Sequence, residues 1–240
     1  MTLIRSLIFF TLFYLLMAVM GILCLPLALA SRSGTLWSMT TYCRITLWLL
    51  QALCGIRVEV RGTPPSGDVI VASKHQSFLD ILIHTRELPR PRFIMKKSLR
   101  WAPILGIYAI RMGSTPVHRG RKGETMARMV NSENKQSGAD KGQLVIYPQG
   151  TRVAPGSARP YKVGAGVLYQ RFGKICVPAA TNAGLFWGRN QVTLRPGVAV
   201  IDYLDPVEPG LPLEEFMATL EDRVEAASNA LLAEHQGAKQ

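Results

Sequence analysis

Leu7 to Ala30 is an uncharged run of 24 residues, dominated by Leu, Ile, Phe, Met and Val. As a helix it is long enough to cross a bilayer's hydrocarbon core, which takes about 20 residues. A secretory signal is the competing reading. Arg5 gives a basic start, and Ala28-Leu29-Ala30 before Ser31 has the small-x-small form of a cleavage site. The run is longer than a usual signal core, which favours a retained anchor. A second apolar stretch, Thr35 to Ile56, carries Arg44 and the amphipathic rings of Trp37, Tyr42 and Trp48. With a charge in its middle it is a weaker spanning candidate. Lying along the interface, re-entering the membrane and packing on the first helix are its alternatives.

Beyond this region the pattern shortens. Gly55 to Gly62 alternates apolar and charged positions between glycines, as a strand does. Pro64-Pro65-Ser66-Gly67 is a turn, and Asp68 to Ala72 is a buried strand leading to His75. Ser77-x-x-Asp80 has the form of a capping box, with Ser77 as N-cap and Asp80 at the third helical position. Further strands are expected at Arg92–Met95, Gly113–Arg119, Leu144–Tyr147, Phe172–Ala180 and Gly197–Tyr203. Met126, Met129 and Val130 allow a short amphipathic helix. Phe216, Leu220, Val224, Ala227 and Leu231 mark one face of a closing helix over Leu213–Glu234. Strands alternating with helices predict an α/β fold, a sheet layer flanked by helices. The expected organisation is an apolar helical membrane segment, 1–54, followed by one α/β domain, 55–240.

Composition narrows the partner. Lys plus Arg is 28 against 16 acidic residues, a formal charge of +12. Such a balance favours a polyanion, either nucleic acid or an anionic membrane surface. The apolar N-terminus selects the membrane, and no helix-turn-helix, RRM, zinc pattern or run of aromatic platforms supports nucleic acid. Basic residues are much denser after the anchor than before it. The C-terminal domain is therefore expected in the cytoplasm at an inner membrane if only the first segment spans, or if neither does and the pair dips into one leaflet. Cys24, Cys43, Cys54 and Cys176 have neither CxxC pairing nor metal-ligand spacing.

His75 and Asp80 are the candidate base and its orienting acid. A neutral imidazole is suited to take a proton near pH 7, and a carboxylate on one ring nitrogen fixes the tautomer. Capping a helix is the plainer role for Asp80, and the two roles are compatible. Arg119 and Arg152 each end a strand and a glycine-containing turn. A guanidinium fork suits phosphate oxygens, Gly150 lets backbone amides approach an anion, and Thr151 adds a hydroxyl.

In this order the residues resemble four blocks of the glycerolipid acyltransferases that acylate lysophosphatidic acid. His75-Gln76-Ser77-Phe78-Leu79-Asp80 looks like the His-x4-Asp block. Lys97-Ser98-Leu99 through Val117-His118-Arg119 resembles the second, Tyr147-Pro148-Gln149-Gly150-Thr151-Arg152 the third, and Val177-Pro178-Ala179-Ala180 the fourth. The resemblance implies acyl transfer from coenzyme A or acyl carrier protein to a lysophospholipid hydroxyl, with no cofactor and no metal. It implies His75 and Asp80 as catalytic, and Lys97, Arg119, Gln149, Gly150, Thr151 and Arg152 as acceptor-binding. Acyl carrier protein is then a partner wherever it is the donor. Two departures stand out: Gln149 replaces the usual glutamate, and Ser98 an acid that often follows the lysine. Both remove negative charge and leave room for another lysolipid, such as lyso-ornithine lipid. A non-enzymatic lipid-binding protein is the rival from another class, but it has no need of a base.

Overall fold

A computed structural model describes residues 2–118, 122–135 and 141–237. Its centre is a seven-stranded sheet ordered β1-β7-β6-β2-β5-β3-β4. The strands are β1 (Ile56–Arg61), β2 (Ile70–Ser73), β3 (Arg92–Lys96), β4 (Thr115–Val117), β5 (Leu144–Ile146), β6 (Cys176–Thr181) and β7 (Gly197–Tyr203). Neighbours run parallel except β6 and β7, which are antiparallel. Parallel strands covered on both faces read as unbroken apolar runs. Accordingly every residue of β2, β5 and β6 is buried.

The two faces are filled by different helices. Val71 and Val145 share one core with Phe9 and Phe13 of α1 (Thr2–Leu23), Leu47 and Leu50 of α3 (Arg32–Cys54) and Ile83 of α4 (Leu79–Glu87). Their strand neighbours Ile70, Ala72, Leu144 and Ile146 point the other way. They meet Leu168 of α7 (Gly164–Phe172) and Phe216, Leu220 and Val224 of α8 (Leu213–Gly237). The apolar face expected for α8 is therefore the one buried, with Ala227 partly covered. Helices α5 (Leu105–Arg111) and α6 (Lys122–Lys135) flank the β3–β4 edge, and α6 buries Met129 and Val130.

The N-terminal helices are built into this core. The long apolar run is not one helix: α1 ends at Leu23, and a short α2 (Leu25–Ala30) restarts with Pro26 in its first turn. Proline is tolerated there because the first amides of a helix have no partner within it. Ser31 then caps α3, its hydroxyl accepting from Gly34 N at 2.9 Å. Helix α3 packs along α1 and α4, the last of its alternatives. Among the described residues only α1 is long and apolar enough to cross a membrane. Its outer face leaves Ile4, Leu7, Leu15, Ile22 and Leu23 exposed.

Two local expectations change. Phe172 ends a helix rather than opening a strand. Gly173 stops that helix at φ 54°, a left-handed turn costly for a side chain, and β6 begins only at Cys176. Helix α4 starts one residue later than the capping box predicts, with Phe78 at the N-cap and Ser77 outside it.

Pairing decides where chemistry is possible. β2 and β5 lie side by side with Ala72 opposite Ile146, so the turns leaving both strands emerge together at the carboxyl end of the sheet. Such ends are where open α/β sheets hold ligands. The amino ends are closed instead by a buried ion network. There Arg92 pairs with Glu133 at 2.5 Å, and Lys174 reaches both Glu133 and Asp68 at 2.6 Å.

Candidate active site

The turn after β2 brings His75 and Asp80 together. His75 Nδ1 lies 3.1 Å from Asp80 Oδ2. The same oxygen accepts the backbone amides of Gln76 at 2.7 Å and Ser77 at 2.8 Å. Ser77 Oγ accepts from Leu79 N at 3.0 Å. Asp80 therefore both ties the turn to the start of α4 and holds the imidazole. Its side chain is 0% exposed, while His75 retains 8%. With Nδ1 carrying its hydrogen toward a carboxylate, Nε2 is left as the basic nitrogen.

The imidazole is also held face-on. Tyr147, at the exit of β5, stacks on it with ring centroids 3.9 Å apart and planes 18° from parallel. Burial pushes the Tyr147 phenol well above its ordinary pKa, so it stays neutral beside the base. Behind His75 runs a directed chain of hydrogen bonds. The Ser73 hydroxyl donates to Lys74 O at 2.9 Å. His84 Nε2 must then donate to Ser73 Oγ, 3.0 Å away, which leaves Nδ1 to accept from the Tyr203 hydroxyl at 2.9 Å. Burial lowers the His84 pKa to about 4, which keeps it neutral and suits this arrangement.

The turn after β5 supplies the cationic side. Gly150 adopts φ 69°, and Gly150 N donates to Tyr147 O at 2.8 Å. Val153 N donates to His75 O at 2.8 Å, so the two strand exits are bonded to each other. Arg152 is half-buried. Burial lowers its pKa, as does the neighbouring Arg189, while the charge of Asp80 raises it. Arg152 thus lies within the electrostatic reach of Asp80. Thr151 Oγ1 accepts a long bond, 3.5 Å, from Arg189 Nη1. The Lys162 ammonium lies over Gly150, where an added Cβ would come within 2.7 Å of its Nζ.

Not every expected acceptor contact is found here. Arg119 lies outside the described residues. Lys97 opens the 3-10 turn Lys97–Trp101 and points its ammonium at His118 Nε2, 2.8 Å away. Gln149 is 1% exposed and faces inward, its amide 3.4 Å from both Arg159 O and Glu225 Oε1.

Glu225 is the residue that sequence reasoning missed. Lys74, beside His75 and 2% exposed, places its ammonium 2.6 Å from both Glu225 carboxylate oxygens. The Tyr161 hydroxyl donates to Glu225 Oε1 at 2.9 Å. Helix α8 thus brings a carboxylate to within 3.4 Å of the Gln149 amide, from 76 residues further along the chain. The available signal was weak: one acid bordering the apolar stripe Leu220-Val224-Ala227.

The first and third blocks therefore meet at one end of the sheet, with a candidate base, its carboxylate and a cationic turn. A family model described as Acyltransferase matches residues 56–182, more than half of the chain. The chain belongs to this acyltransferase family. A curated relative, the 1-acyl-sn-glycerol-3-phosphate acyltransferase of Pseudomonas aeruginosa, is 27% identical over 200 residues, covering 80% of this chain and 76% of that protein. The human 1-acyl-sn-glycerol-3-phosphate acyltransferase alpha is 33% identical over 187 residues, covering 75% of this chain and 65% of that one. The crystal structure of the 1-acyl-sn-glycerophosphate acyltransferase PlsC from Thermotoga maritima shares the fold of this acyltransferase, with a TM-score of 0.79. It is 20% identical, and the match covers 97% of this chain and 98% of that one.

Proposed function

We propose that this acyltransferase moves a fatty acyl group from an acyl thioester, on coenzyme A or acyl carrier protein, to the hydroxyl of 1-acyl-sn-glycerol-3-phosphate. The product is phosphatidic acid. The observation that carries this is the juxtaposition of the His75 Nε2 base with the cationic turn at Arg152, across two bonded strand exits. An acceptor bearing both a hydroxyl and a phosphate fits that pair of groups.

His75 Nε2 takes the hydroxyl proton as the oxygen attacks the thioester carbonyl carbon, and Asp80 stabilises the imidazolium. The tetrahedral intermediate collapses with breakage of the carbon–sulfur bond. The leaving thiolate takes the proton back from His75, giving an ester and a free thiol. General-base help of this kind contributes about 10²–10⁴ in rate, and holding both reactants in place contributes as much again or more. A thioester is already activated, so the chemistry calls on no metal or cofactor. The exposed apolar face of α1 supports attachment to a membrane, where the lysolipid resides. The excess of basic residues after α1 supports an inner membrane with the domain on the cytoplasmic side. Gln149 had left room for lyso-ornithine lipid. With the Glu225 carboxylate 3.4 Å from its amide, it gives that acceptor no support.

The test offers membranes carrying the protein a labelled acyl thioester, on either carrier, with a panel of lysolipids. Phosphatidic acid is the expected product. Labelled ornithine lipid as the main product, or no transfer to any lysolipid, would refute the proposal.

A further inference from the structure

Arg189 lies outside all four blocks, on the loop between the 3-10 turn Ala183–Leu185 and β7. An exposed arginine on a loop is ordinarily a solvated charge. Here three observations say otherwise. First, Arg189 Nη1 reaches Thr151 Oγ1 at 3.5 Å, in the turn that also carries Arg152. Second, burial lowers the Arg152 pKa and the neighbouring Arg189 lowers it further, so the two guanidiniums lie within electrostatic reach of each other. Third, among the described residues no carboxylate lies within ion-pair distance of Arg152, Arg189 or Lys162.

The loop is not free to relax this repulsion by moving as a whole. Its ends are drawn together by Arg195 N donating to Phe186 O at 2.9 Å. Leu194 N donates to Ser6 Oγ of α1, also at 2.9 Å. The ring of Trp187, two residues before Arg189, packs edge-on against Phe9 at 5.7 Å and Phe10 at 5.5 Å. The helix with the apolar outer face thus seats the loop that presents Arg189 to the site.

We infer that Arg189 is a specificity-determining residue, a second guanidinium that holds the acceptor's phosphate together with Arg152 and selects a phosphomonoester. A phosphomonoester carries close to two negative charges near pH 7, its second pKa being about 6, and presents three oxygens. Two forks from different strand exits match that charge and geometry, whereas a phosphodiester headgroup offers one charge and fewer free oxygens. This rests on lysophosphatidate being the acceptor.

The test measures acyl transfer by the membrane-bound enzyme and its Arg189→Ala, Arg189→Lys and Arg152→Ala variants. Loss of one charge-assisted contact to the phosphate should raise the KM for lysophosphatidate about 10–100-fold in Arg189→Ala. The thioester KM should stay as in wild type, and Arg189→Lys should recover part of the loss. Because two forks share one phosphate, the double variant should lose less than the product of the single losses. The wild-type KM should also rise as pH falls through about 6, where the phosphate loses its second charge, and this rise should be shallower in Arg189→Ala. An unmoved lysophosphatidate KM, or an equal rise in the thioester KM, would overturn the assignment of Arg189 alone. A wild-type enzyme that transfers nothing to lysophosphatidate would sink both this assignment and the acceptor on which it rests.

Discussion

The two strand exits that make the site are finished to different degrees. At the exit of β2 every group is spoken for except the one that reacts. One oxygen of Asp80 holds an imidazole and two amides, Tyr147 covers a ring face, and His84 fixes the backbone through Ser73. At the exit of β5 the backbone is equally fixed, but among the described residues no carboxylate lies within ion-pair distance of its cations. A base must be in place before the substrate arrives, since reorienting it would cost rate. A binding site for an anion gains affinity by leaving its cations for the ligand to neutralise. Completeness at one exit and incompleteness at the other fit the proposed division between chemistry and holding.

The largest effect should come from removing the base. His75→Ala should lower the transfer rate by about 10²–10⁴ while the KM of the acceptor changes little, as read by steady-state kinetics with labelled thioester. Equal activity would mean that the completed exit is only structural.

A second test concerns what completes that exit. His84 is held neutral, with a pKa of about 4 against 6.5 in the unfolded chain. Between those values the unfolded state binds more protons, so stability is full above about 6.5 and falls as pH drops toward about 4. The loss reaches about 3 kcal/mol at the low end. Thermal unfolding between pH 7 and 4 should show this slope, and His84→Asn should be less stable but flatter. A variant with an unchanged slope would place the acid sensitivity elsewhere.

The smallest effect tests the Glu225 carboxylate. Glu225→Gln strands the buried ammonium of Lys74 and should cost on the order of 2 kcal/mol, with activity falling through the displaced turn. Adding Gln149→Glu in the same chain should restore most of the stability, because the carboxylate returns from the other side of the same cluster. No recovery would mean that position 149 cannot reach the cluster.

Much of the site was legible because its parts are local in sequence. The His75–Asp80 bond spans five residues and one turn, so the motif and the geometry are nearly the same statement. Likewise Gly150-Thr151-Arg152 announces a turn ending on a cation, and Gly150 does take a positive φ. The α8 face was readable because helical spacing and burial coincide. What escaped detection was non-local. Glu225 and Arg189 reach the site from chain positions 151 and 38 residues away from their partners Lys74 and Thr151, and each looks locally like an ordinary surface charge. The burial of Gln149 was equally illegible, since its partners Arg159 and Glu225 lie 10 and 76 residues further along the chain.

By itself, then, the order of residues determined the alternating layers, the apolar N-terminus and the chemistry of the turn after β2, because periodicity and short-range hydrogen bonding need no distant partner. Tertiary structure alone decided that β2 and β5 are neighbours, that α1 and α3 close one face of the sheet, and which distant charges enter the site. Those outcomes depend on strand pairing and helix docking, where the free energy lies in contacts between residues far apart in the chain. The His75–Asp80 pair could be read from one short stretch, whereas the proposed acceptor clamp depends on several stretches meeting.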